Sequence, residues 1–155
     1  SVEAQTRKTV SGPAVVKPLE IRRYDRLKNG KWKQSTVATL DGGIQARVIL
    51  GGDFMNLGKK QLIVTTMKGG VYALEPGPKK WTKHLIDANS SGFEHAAGLF
   101  DITGDGKLEL VVAADDQNVV KRYQYKDGAF QGQIIAQLEP RDLTWSVEIC
   151  HGTGL

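Results

Sequence analysis

The apolar residues of this chain come in short bursts broken by glycine, asparagine, aspartate and lysine, and nowhere does a capped 3.6-residue stripe run beyond two turns. Residues 108–114 form an almost unbroken apolar run, the pattern of a strand buried on both faces. A turn at 115–118 leads to residues 119–125, whose later part alternates apolar and polar as a half-exposed strand does. The turn 126–128 opens a third strand at 129–138, and a fourth is expected at 144–149. One period earlier the corresponding strands fall at 62–67, 71–75, 81–87 and 95–100. The pattern predicts an all-β protein with four strands per unit and almost no helix.

The unit repeats. Residues 53–66 align with 101–114 at an offset of 48, sharing an aspartate, a glycine, a lysine and the apolar strand. Trp32, Trp81 and Phe130 each follow a turn and are 49 residues apart. A period of 40 to 50 residues built from short strands marks propeller blades or similar arrays.

At the head of the buried strand, oxygen-bearing groups recur with calcium-loop spacing: Asp101, Thr103, Asp105, the Lys107 carbonyl and Glu109, with Gly106 at the sharp turn. The twelfth position is Val112 rather than a bidentate glutamate, so the loop is not an EF-hand. In the upstream copy Met55, Leu57 and Gln61 replace Thr103, Asp105 and Glu109, which predicts a metal-free turn of the same shape.

With these residues in view, 101–114 and its weaker copy at 53–66 resemble the FG-GAP or VCBS type repeat, an oxygen-rich loop followed by a short apolar strand. His95-Ala-Ala ahead of the loop is similar to the lead-in of such repeats. The resemblance covers roughly residues 23–150. It implies β-propeller blades, one calcium ion, and the glycan- or protein-binding role of lectins and adhesion proteins similar to this family. Residues 19–155 then make a partial propeller of about three four-stranded blades, with residues 1–18 as a tail or linker. A closed propeller takes at least about four blades. Further blades are therefore expected from a longer chain or from other subunits, because a short arc leaves stacking faces uncovered.

Charge is uneven. Residues 1–34 carry nine Lys or Arg against three acidic residues, and the remainder is slightly acidic. The bland reading is a solvated edge that discourages strand addition; no RRM-like aromatic pattern argues for nucleic acid. No apolar run approaches the roughly 18 residues of a membrane helix. The lone Cys150 excludes an internal disulfide framework. A carboxylate-poor calcium loop suits the high calcium of an extracellular or periplasmic setting.

His84, His95 and His151 with Glu94, Asp87 and Asp101 are the candidate acid/base groups, but none has diagnostic spacing. Trp145 breaks the aromatic series and, with His95 and Glu94, is the candidate for ligand contact. The expectation is a non-enzymatic binding or assembly module with rim loops recognising a glycan or protein. The alternative is a share in a propeller enzyme acting on polysaccharide.

Overall fold

A computed structural model describes residues 3–89, 96–140 and 142–150. The all-β expectation holds: among the described residues there is no α-helix, only a 3₁₀ turn at Asp115–Gln117. Strands β1 (Gln5–Thr9) and β2 (Gly12–Lys17) form one hairpin, and β3 (Leu19–Arg26) and β4 (Trp32–Leu40) a second. The strands β5 (Gln45–Gly52), β6 (Gln61–Met67), β7 (Gly70–Glu75) and β8 (Thr82–Asp87) then make a four-stranded antiparallel sheet in chain order. A second sheet of the same order follows, from β9 (Ala97–Phe100), β10 (Glu109–Ala114), β11 (Val119–Lys126) and β12 (Ala129–Gln137).

The continuous apolar runs are explained by stacking. Successive strand side chains point to opposite faces, and β6 and β7 are covered on both. Ile63, Val71 and Ala73 meet Leu110, Val112 and Tyr123 of the second sheet, with Phe54 and Met55 between them. On the opposite face Val64, Tyr72 and Leu74 meet Leu19, Ile21 and Leu40 of the β3–β4 hairpin. Each fully buried Val, Leu or Ile contributes roughly 1.5–3 kcal/mol, so these two joints hold most of the fold. Approach at the first joint is close: a Cβ on Gly52 would lie 2.8 Å from Leu108 and 2.9 Å from Leu99. The turn between β11 and β12 is Asp127-Gly128, both at positive φ (52° and 78°), the two-residue hairpin geometry that Asp-Gly favours.

Several details differ from the sequence expectation. The sequence pattern places 95–100 in the preceding unit, yet β9 pairs with β10 and so opens the second sheet. Its place as inner partner in the first sheet is taken by β5, which pairs with β6. No strand forms at 144–149. The Thr144 amide is taken by Asp115 Oδ2 at 3.0 Å. The first of the three expected units has two strands, not four, because no described strand pairs with the second edge of β3. Within the expected tail or linker, residues 5–17 form the β1–β2 hairpin, anchored at its base by the Ala4 amide on the Ile44 carbonyl at 2.9 Å.

Candidate functional site

The loop between β9 and β10 is organised by its first aspartate. Asp101 accepts the amides of Asp105 (3.1 Å) and Gly106 (2.9 Å), one on each carboxylate oxygen. Gly104 and Gly106 both take positive φ, 73° and 80°, which lets the backbone fold around that carboxylate. Glu109 closes the loop from the strand side. It is buried, and its oxygens accept the Ile102 amide at 2.8 Å and the Thr103 hydroxyl at 3.3 Å. Asp105 turns outward. Its Oδ1 accepts the Lys107 amide at 3.0 Å, and the Lys107 ammonium stands 3.8 Å away. That amide, assisted by the Thr103 hydroxyl and the ammonium, holds the Asp105 carboxyl below the usual range against a smaller upward push from burial.

The twin loop between β5 and β6 uses the same device. Asp53 accepts the amides of Leu57 (2.9 Å) and Gly58 (2.8 Å), the positions equivalent to Asp105 and Gly106. Asn56 and Gly58 take positive φ, 54° and 70°, as Gly104 and Gly106 do. Gln61 replaces Glu109 and accepts the Met55 amide at 3.0 Å while donating to the Lys59 carbonyl. Burial pushes Asp53 up, but the loop amides and Gln61 outweigh it, so its carboxyl ionises below the usual range. Side by side, the two loops border a cleft of about 200 Å³, to which Asn56 contributes from one and Asp105, Lys107 and Glu109 from the other.

The five expected calcium ligands offer only oxygen, the donor a hard divalent cation takes. As folded, their charges are met within the loop, and among the described residues no three His, Cys, Asp or Glu side chains converge as a metal cluster.

Of the acid/base candidates, the described ones, His84, Asp87 and Asp101, each bond to separate partners. His84 Nε2 lies 2.8 Å from Glu75 Oε2, and Lys59 reaches the other oxygen of Glu75 at 2.6 Å. Those two partners hold the Glu75 carboxyl below its ordinary range. Asp87 lies instead at the joint between the two four-stranded sheets. Its Oδ2 accepts the Tyr123 hydroxyl at 2.6 Å and the Lys121 ammonium at 3.0 Å. Burial pushes this carboxyl up, and the two donors bring it below the usual value. Sequence spacing did not single out Tyr123, Lys121 or Glu75, since their partners lie nine or more residues away. Trp145 is 72% exposed, so burial in the core does not occupy it. His95, Glu94 and His151 lie outside the described residues. Comparison of the chain with protein-family models, with curated proteins and with solved structures finds no match.

Proposed function

We propose that this chain is a non-enzymatic binding or assembly module made of stacked β-propeller blades of the FG-GAP or VCBS type. The reading is carried by one observation: two loops, 48 residues apart, fold around an aspartate with the same pair of amide bonds, each at the head of a strand buried in a four-stranded sheet. A duplicated unit stacked on itself makes a rigid platform whose connecting loops are free to recognise a glycan or protein partner. The engagement of His84, Asp87 and Asp101 in separate structural bonds favours binding over acid/base chemistry.

Calcium is part of the proposal as a stabiliser, not a reactant. Asp101, Thr103, Asp105, the Lys107 carbonyl and Glu109 would hold one ion in the second loop, with Asp105 exchanging Lys107 for the metal. The intact twin at Asp53 indicates that hydrogen bonds suffice for the loop shape, so calcium adds stability without being required for folding. Thermal melting tests this. At free calcium about tenfold above Kd the gain is about 1.4 kcal/mol, and Asp105→Ala is expected to remove it. Equal melting with calcium and with chelator would take the metal out of the account. Screening against a glycan array, with product analysis on the bound polysaccharides, tests the binding role; turnover without retention would replace it with the enzymatic one.

A further inference from the structure

The outer strand of the second sheet lacks the charges that its counterparts carry. β12 pairs with β11, and its other edge has no strand partner among the described residues. Stacking of sheets does not cover such an edge: β8, in the sheet that is packed on both faces, likewise pairs on one side only. Edge strands usually carry charge or proline, which discourages addition of a further strand. β8 follows that rule with Lys83, His84 and Asp87, and β4 with Lys33. The nine residues of β12, Ala129-Phe-Gln-Gly-Gln-Ile-Ile-Ala-Gln137, include no charged residue and no proline, and all but Phe130 are exposed.

The hairpin sets which backbone groups face outward. Residues flanking a two-residue turn bond to each other, and bonded pairs then alternate along an antiparallel ladder. Starting from Lys126 and Ala129, the register makes Gln124 with Gln131 and Arg122 with Gln133 the next such pairs. Phe130, Gly132 and Ile134 therefore turn their N–H and C=O groups to the free edge, up to the irregularity in the ladder past Ile134. This outward stretch, Phe130-Gln-Gly-Gln-Ile134, reads alike in both directions: apolar, Gln, Gly, Gln, apolar. An antiparallel partner of the same sequence meets it like for like. Paired about Gly132, Phe130 falls opposite Ile134 of the second copy and Gln131 opposite its Gln133, with no charge set against another.

We propose that β12 pairs antiparallel with β12 of a second copy of this chain about a two-fold axis at Gly132, so that two four-stranded sheets join edge to edge. The contact is isologous and closes at two copies. Phe130, Gly132 and Ile134 exchange both backbone bonds with Ile134, Gly132 and Phe130 of the second copy. A single strand pair buries less than the roughly 1,200–2,000 Å² of a standard interface, so the dimer is weak and depends on concentration. The pairing is separate from the stacking of sheets and from the loops proposed to bind a partner.

Sedimentation velocity of the intact chain over a concentration series at low ionic strength tests the pairing. Wild type is expected to pass from monomer to dimer and no further. Gln131→Glu with Gln133→Glu sets carboxylates opposite one another across the axis, and this double variant is expected to stay monomeric with unchanged circular dichroism. Its fold is not strained, because both positions are exposed and position 133 faces Arg122 within the chain. Gln131→Lys with Gln133→Glu sets opposite charges across the axis and is expected to dimerise at least as well as wild type. In a parallel pairing, or one shifted to put position 131 against itself, that same variant would oppose like charges and lose the dimer. A wild type that remains monomeric at the highest concentration reached, species larger than a dimer, an acidic variant that still dimerises, or a monomeric charge-swap variant each overturns the proposal.

Discussion

Two aspartates do the same work in this chain, and their side chains show how little a turn needs to be preserved. Asp53 and Asp101 each gather two backbone amides, so the loop keeps its shape while the other oxygen donors change to Met55, Leu57 and Gln61. What the loop does require is the left-handed backbone at Gly58. Gly58→Val is therefore expected to cost about 2 kcal/mol, from a β-branched residue at positive φ. Leu57→Asp, at an exposed position that donates only its amide, is expected to leave the melting temperature nearly unchanged. At the sheet joint, Tyr123→Phe removes the hydroxyl bound to Asp87 and is expected to cost about 1–2 kcal/mol in denaturant unfolding. The folded-state pKa of Asp87 is depressed, so its contribution is present above the unfolded value near 3.8 and is lost as pH falls below it. In Tyr123→Phe the depression is smaller, and the stability curve is expected to fall less steeply across that acid window.

Strands β6 and β10 are legible from composition because both faces are buried, which favours consecutive apolar residues, as in Leu62-Ile63-Val64 and Leu110-Val111-Val112. Hairpin turns are legible too, as with Asp127-Gly128 between β11 and β12. Strand pairing is not legible in the same way. Residues 97–100 have the same composition whether they pair back onto β8 or forward onto β10, and the short loop organised by Asp101 decides for β10. For residues 144–149, an apolar and aromatic pattern was present but no neighbouring backbone among the described residues completes a ladder. Phe130 marks the joint where pairing and stacking meet, beside Phe54, Tyr125 and His84. Phe130→Ala is expected to lower stability by about 2 kcal/mol, less than a fully buried Phe because Phe130 is half-buried. Equilibrium denaturation measures it.

Three sheets stacked in a row, with the middle one covered on both faces, give a molecule whose stability is graded from centre to edge. Hydrogen exchange is expected to be slowest in β6, β7 and β10 and fastest in the β1–β2 hairpin, whose first strand is exposed along its whole length. Protection in β1–β2 equal to that of β6 would contradict this gradient. Among the described residues no helix is long and apolar enough to cross a membrane. The concentration of positive charge in the first hairpins is partly neutralised locally, by Glu20 on Arg22 and by Asp25 on Arg23. These exposed or half-exposed pairs contribute little to stability.

Amino-acid order fixed the strand-forming bursts, the turn residues and the oxygen-rich loop, because each depends on neighbours within about a dozen positions, and the 48- to 49-residue spacing, because an offset is read from the order itself. Three-dimensional packing settled which strand begins each sheet, which aromatic is buried, and that Asp87 meets Tyr123 across a joint. Those outcomes depend on groups brought close by stacking rather than by spacing. Trp32, Trp81 and Phe130 are evenly spaced in the sequence, but Trp81 and Phe130 pack on neighbouring groups whereas Trp32 is left largely in solvent.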